Sequence, residues 1–375
     1  MTEPASSADP SGIAAGIPIS VITGFLGSGK TTLLSRLLKH PDMADTAVLI
    51  NEFGEVGLDH ELVEAVSGET VVMDSGCLCC TIRGDLAQSL RTLYFRRVRG
   101  EVSAFKRVVI ETTGLADPAP ILQTLMEDPI VESYYRLDAV ITTVDAVNGA
   151  GQLDAQFESV KQAAVADRLL LTKSDLADAS IVASLTARLK ALNPGAPIYQ
   201  VSHGEIEPSR LFGAGLYDPK TKTIDVQNWL RAEAYEAQTG HEHGHHHDHD
   251  HGHDHAHDHD HAPDVNRHDD RIRATCLVFD EPIEWDPFSL WLGSLARYRG
   301  EDLLRVKGIL NVVGEEKPVA VHGVQHVFHP PARLPSWPSA DRRSRLVIIA
   351  RDMDRAFLEQ TFRNYREAAP GPAVP

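Results

Sequence analysis

From Ile17 to about Val201 the chain alternates two kinds of segment. Short apolar runs fall at residues 17–23 (IPISVIT), 46–50 (TAVLI), 70–73 (TVVM), 107–111 (RVVIE), 139–146 (AVITTVDA), 167–172 (DRLLLT) and 197–201 (PIYQV). Between them lie segments with helical or loop spacing. Runs this short, rich in Val and Ile, read as buried strands, and their alternation with helices predicts an α/β fold with a mostly parallel sheet. The first helix should begin at Lys30, because Leu33/Leu37 and Leu34/Leu38 stand at i, i+4 spacing and form one apolar face.

The pattern breaks at residues 241–261, HEHGHHHDHDHGHDHAHDHDH, which hold almost only His, Asp and Gly and cannot bury a core. Ordered spacing resumes with 273–279 (RATCLVF). A helical stretch follows (286–298), then strand-like runs at 303–313, 319–328 and 345–350, and a last helix near 355–365. The expected organisation is a tail at 1–16, a larger α/β domain at 17–215, a linker at 216–270, a smaller α+β domain at 271–367 and a tail at 368–375.

A chain of 375 residues exceeds the usual single domain, which agrees with two units. The formal net charge of −17 argues against nucleic acid or an anionic membrane as partner, and suits cations. No apolar run approaches the ~18 residues of a membrane-spanning helix. The first residues carry no basic-then-apolar leader pattern, so a cytoplasmic location is expected. Three of the four cysteines, Cys77, Cys79 and Cys80, fall within four positions, where mutual disulfides are strained and metal or redox chemistry is the better reading. Cys276 lies in an apolar run and reads as core.

Residues 24–31, GFLGSGKT, match G-x-x-x-x-G-K-[ST] with a strand before and an amphipathic helix after, the context that a phosphate-binding P-loop requires. Glycines let the backbone wrap the phosphates with its N–H groups inward, and the helix N-terminus adds its dipole. Gly24, Gly27, Ser28, Gly29, Lys30, Thr31 and Thr32 are thus candidate nucleotide ligands. Lys30 should reach the β- and γ-phosphates and Thr31 should ligate Mg²⁺.

Thr172-Lys173-Ser174-Asp175 follows a strand and is similar to N-K-x-D, the guanine-reading segment of GTPases. A carboxylate at Asp175 accepts from guanine N1–H and the 2-amino group, whereas adenine presents an acceptor at N1. Lys173 can lay its stem on the base, and Thr172 stands where Asn is usual. Glu111-Thr-Thr-Gly114 ends an apolar strand in an acid, with Gly three residues on. Glu111 should support Mg²⁺ and orient the attacking water; Gly114 should offer its N–H to the γ-phosphate. Leu115 follows, where no Gln is present to hold the water.

Gly76-Cys77-Leu78-Cys79-Cys80 lies between the P-loop and Glu111 and suits Zn²⁺, Co²⁺ or Cu⁺ on a loop. Glu52 or Glu55 is a candidate fourth ligand, as is water. A redox pair and a structural zinc knuckle are the other readings of the three thiols. The twelve histidines His241, His243, His245, His246, His247, His249, His251, His253, His255, His257, His259 and His261 form a low-selectivity capture arm for divalent cations. His322, His326 and His329 are either further ligands or ordinary histidines.

Together GFLGSGKTT, NEFGEVGLD, GCLCC, ETTG, TKSD, the His-rich linker, RVKGIL and HGVQHVFHPP resemble the CobW-like family of P-loop GTPases, nearest to its zinc-regulated GTPase metalloprotein activators. The resemblance spans about Ile17 to Tyr365. It implies zinc held on Cys77, Cys79 and Cys80 and GTP hydrolysis driving its transfer to a client metalloprotein. Thr172, and Ile50 where relatives often have Glu, depart from the family pattern. A cobalt chaperone serving cobalamin biosynthesis or a cobalt enzyme, a metal store with residual GTPase activity, and a regulatory GTPase remain as alternatives.

Overall fold

The computed structural model describes residues 16–51, 70–72, 78–81, 85–213 and 271–368. Strand β1 (Ile17–Gly24) leads through the glycine turn into α1 (Lys30–Leu37), whose Leu33, Leu34 and Leu37 are buried as their spacing requires. The larger sheet is completed by β2 (Thr46–Asn51), β3 (Thr70–Val72), β4 (Leu78–Thr81), β5 (Arg107–Thr112), β6 (Tyr135–Asp145), β7 (Arg168–Thr172) and β8 (Ile198–Val201). Its order is β3-β4-β2-β5-β1-β6-β7-β8, all parallel except β3. The central strand β6 is buried along nearly its whole length, which is why the runs here read as continuous apolar rather than alternating.

Helices α2 (Leu86–Val98), α3 (Ala119–Glu127), α4 (Pro129–Tyr134), α5 (Gly149–Ala155), α6 (Phe157–Ala164) and α7 (Ala179–Leu192) cover the faces of the sheet. Their starts follow from local chemistry. Asp85 accepts from Ala87 N and Asp128 from Ile130 N and Val131 N, which satisfies amides that the first turn leaves open.

The smaller domain comprises β9 (Ile272–Phe279), α8 (Trp285–Arg299), β10 (Leu303–Leu310), β11 (Val319–Val324), β12 (Val327–Phe328), β13 (Ala332–Arg333), β14 (Ser344–Arg351) and α9 (Arg355–Ala368). Its antiparallel sheet runs β12-β11-β10-β14-β9, with β13 on β11, and α8 and α9 pack Phe288, Trp291 and Phe362 against it. The run at 319–328, expected as one strand, is two: the chain turns at Gln325, φ 55°, and Val324 pairs with Val327. The cysteine segment, expected as a loop, also differs. Residues 78–81 form β4, held between β2 and β3 by both ladders.

The two domains share their cores. Ile272, Ala274, Cys276 and Val347 join Val182, Leu185 and Leu189 of α7 in one cluster, while Val324 and Val327 join Ile121, Leu122 and Leu125 of α3 in another. Cys276 is the buried core residue its surroundings implied. Between the domains Asp167 is fully buried, accepts from Val140 N, and pairs with Arg305 and Lys307 of β10. One carboxylate shared by two cations leaves the group electrostatically uneven. Burial, then the charge of Arg305, pushes Lys307 down to about 7, against the pull of Asp167. Burial opposes the Asp167 charge, but Arg305 and Lys307 outweigh it and hold its carboxyl at about 2.

Candidate functional site

The carboxyl ends of β1, β5, β6 and β7 converge on the glycine turn, the position at which parallel α/β sheets bind ligands. Gly24, Gly27 and Gly29 take φ of 141°, 70° and 90°, values that side chains rarely adopt. Gly24 has a second reason: a Cβ there would lie 2.3 Å from Thr143 Oγ1. Ser28 and Thr143 hydroxyls are 2.6 Å apart, and Thr143 also donates to Thr23 O, so β6 braces the turn from below. Lys30 donates to Gly24 O (2.9 Å) and Phe25 O (3.1 Å), keeping its ammonium inside the curl of the turn. Thr32, the next residue but one, is exposed at the helix start.

Thr31 Oγ1 donates to Glu111 Oε1 at 2.8 Å, although the two residues are eighty positions apart. The reason is register: β1 and β5 are neighbours with Ile22 opposite Glu111, so the carboxylate stands beside the helix start. Glu111 is 2% exposed. Two hard oxygen donors at this distance fit the demands of Mg²⁺. Gly114 approaches the glycine turn so closely that a Cβ would meet Leu26 N and Cα at 2.7 Å. Its carbonyl and that of Ala116 accept from Gln162 Nε2 of α6.

At the other end of the turn, Thr172 Oγ1 donates to Ser28 O at 2.7 Å, with Val144 O at 3.1 Å. The Thr172 hydroxyl therefore ties the end of β7 to the glycine turn. Lys173, φ 55°, donates to Asp145 Oδ2 at 2.8 Å. Burial works against the charge of Asp145, but Lys173 and Asn148, with the Val147 and Asn148 amides, hold its carboxyl below the ordinary range. Asp175 is exposed and lies 3.6 Å from His203 Nε2, in the turn after β8. Asp145, Thr143, Gln162 and His203 were not singled out from sequence. The signal available for Asp145 and His203 was their place at strand ends beside β7.

Cys79 and Cys80 stand in β4, opposite Val48 and Leu49 of β2, while Ile50 of β2 lies between Thr81 and Glu111. The thiol-bearing strand is thus two strand spacings, about 10 Å, from the strand that carries Glu111. Cys77, Glu52, Glu55 and the twelve tract histidines lie outside the described residues. Among the described residues no group of three His, Cys, Asp or Glu is placed to hold a metal. His322 is buried on β11, with burial foremost and then the charges of Lys307 and Arg305 holding its imidazole neutral. His326 is exposed and His329 Nδ1 lies 2.9 Å from Pro330 O. Among the described residues no helix is long and apolar enough to cross a membrane.

The model of the CobW/HypB/UreG nucleotide-binding domain matches residues 18–200, and that of the cobalamin synthesis protein cobW C-terminal domain matches residues 272–366. The zinc chaperone YjiA of Escherichia coli K12 is 30% identical over 94% of this chain and 99% of its own length. The zinc chaperone CobW of a Sinorhizobium species is 27% identical over 91% of this chain and 94% of its own. The crystal structure of Zn(II)-bound YjiA GTPase from E. coli superposes with a TM-score of 0.67 at 28% identity, covering 94% of this chain and 99% of that one.

Proposed function

The chain belongs to the CobW/HypB/UreG family of P-loop GTPases, and from that membership we propose a GTP-hydrolysing metallochaperone. It holds zinc on Cys77, Cys79 and Cys80 and passes it to a client metalloprotein. The observation that carries the reading is the adjacency of two chemistries: the Thr31–Glu111 contact at 2.8 Å, and the thiol strand β4 one strand beyond β2 from Glu111. A metal store needs no nucleotide beside its thiols, and a purely regulatory GTPase needs no thiols.

The chain's own residues divide the work. The glycine turn and Lys30 bind and neutralise the phosphates; Asp175 and Lys173 read guanine, with Lys173 oriented by Asp145. Thr31 and Glu111 are the residues that would hold Mg²⁺, which when bound supplies positive charge against the phosphate oxygens. Glu111, buried at the strand end, orients the attacking water, and the Gly114 N–H faces the γ-phosphate. Electrostatic stabilisation of this kind explains why Lys30→Ala should abolish turnover while Glu111→Gln should slow hydrolysis yet keep GTP bound. Relatives named zinc chaperones favour zinc over cobalt as the cargo. The histidine tract serves as the capture arm, in a protein expected in the cytoplasm.

Nucleotide state then sets metal affinity through the sheet: β2 lies between the thiol strand β4 and the strand that ends in Glu111, so a shift of the Glu111–Gly114 segment on loss of the γ-phosphate is passed to the thiols through β2. A coupling of ~1–3 kcal/mol makes zinc roughly 5- to 150-fold tighter with GTP than with GDP, and hydrolysis releases it toward the client. Chelator competition on protein lacking residues 241–261 measures this, with GDP and with a non-hydrolysable GTP analogue. Equal zinc affinities in the two states would remove the thermodynamic link and leave a store.

A further inference from the structure

Residues 114–117 connect the Gly114 that abuts the glycine turn to helix α3, and their anchors come from both domains. Gln162 Nε2 holds the Gly114 and Ala116 carbonyls at 3.3 and 3.0 Å. Asp117 is the knot: Oδ1 accepts from Ala119 N at 2.9 Å, while Oδ2 accepts from Lys161 Nζ at 2.7 Å and Gln325 Nε2 at 3.2 Å. Gln325 belongs to the smaller domain, 208 positions further along the chain.

Its delivery is rigid. Gln325 opens the two-residue turn between β11 and β12, and the flanking Val324 and Val327 are 3% and 1% exposed, sunk in the same cluster as Ile121, Leu122 and Leu125 of α3. A second tie lies nearby: the Phe157 ring of α6 carries Lys161 Nζ at 5.0 Å on one count and Arg351 Cζ, from β14, at 4.6 Å. If the hairpin served only as glue, its two valines would suffice, and glycine at 325 would relieve the φ of 55°. The chain instead keeps a glutamine in the left-handed region, and its amide lands on Asp117. Lys161 already neutralises that carboxylate, so the added neutral donor contributes direction: two donors on one oxygen fix the plane of the group.

We propose that Gln325 is a positioning residue for GTP hydrolysis, through which the C-terminal domain holds Asp117 and, with it, the Gly114 segment in the geometry that hydrolysis requires. The proposal rests on the GTPase reading above. It makes the C-terminal domain part of the hydrolytic site and gives a client docking on that domain a route to the γ-phosphate.

The test uses the full chain and two substitutions. Gln325→Asn tolerates positive φ but is one methylene too short to reach Asp117, and Gln325→Gly relieves the backbone while removing the amide. Steady-state GTP turnover, affinity for a fluorescent GDP analogue and the thermal midpoint are measured for each. The expected result is a kcat lowered roughly tenfold, with KM, GDP affinity and thermal midpoint near those of the unsubstituted chain. Asp117→Ala should lower kcat by a smaller factor in the Gln325→Gly background than in the unsubstituted chain, a non-additive cycle. Unchanged kcat in both variants, or a kcat that falls only in step with the thermal midpoint, overturns the positioning role alone. Absence of GTP turnover in the unsubstituted chain overturns both this role and the GTPase reading.

Discussion

Gly114→Ala tests the closest approach in the site. The added Cβ would stand 2.7 Å from Leu26 N, Cα and Cδ2, and two of these are backbone atoms of the phosphate turn. Non-bonded carbons pack at about 3.5–4.0 Å, so roughly 1 Å of separation must be found. A side chain could rotate away; the turn's backbone cannot, since Ser28, Gly24 and Thr172 are hydrogen-bonded into the sheet around it. The 114–117 segment is the part that yields. Overpacking of this size costs ~1–3 kcal/mol. If opening the segment relieves that cost, the closed arrangement falls in population by roughly 5- to 150-fold, a factor of ten for each 1.4 kcal/mol. Under the proposed role, in which the Gly114 N–H faces the γ-phosphate, GTP needs the closed arrangement and GDP does not. Titration with fluorescent GDP and with a non-hydrolysable GTP analogue, alongside kcat/KM, should therefore show GTP-side losses with GDP affinity near that of the unsubstituted protein. Equal retention of both affinities with kcat/KM within twofold would mean that contact between Gly114 and the phosphate turn plays no part in the hydrolytic state.

Thr172→Val keeps the shape and removes the hydroxyl that donates to Ser28 O, leaving buried carbonyls without that donor. The expected cost is ~1–2 kcal/mol, read as a lower thermal midpoint and weaker binding of GTP and GDP alike; selective loss of GTP alone would contradict a role in bracing the turn. The Asp167–Arg305–Lys307 group makes the domain interface pH-dependent. Lys307 titrates at about 7 in the folded chain, below its ordinary value, so the unfolded chain binds the extra proton between them. Its contribution is complete above the ordinary lysine value and is lost as pH falls through about 7. Thermal midpoints from pH 6.5 to 9.5 should rise more for the unsubstituted chain than for Lys307→Met, and parallel curves would refute this.

The sequence by itself determined whatever depends on neighbours in the chain. The spacing of glycines before Lys30 dictates a backbone that side chains rarely adopt, so the glycine turn was readable without a fold. The apolar runs specified strands, and Leu33, Leu34 and Leu37 specified the buried face of α1, because burial acts on periodicity. Tertiary structure decided what depends on register between distant strands. Thr31 meets Glu111 because β1 lies beside β5, and Lys173 meets Asp145 because β6 lies beside β7. The segment holding Cys79 and Cys80 is a strand because β2 and β3 supply ladders on both sides, and three cysteines in four residues suggested a loop. Gln325 and Asp117 carry no local signature, since a polar residue in a turn and an acid before a helix are ordinary until folding brings them together. The hydrogen bond between them exists only because two valines on either side of Gln325 are more stable inside the larger domain's core than in water.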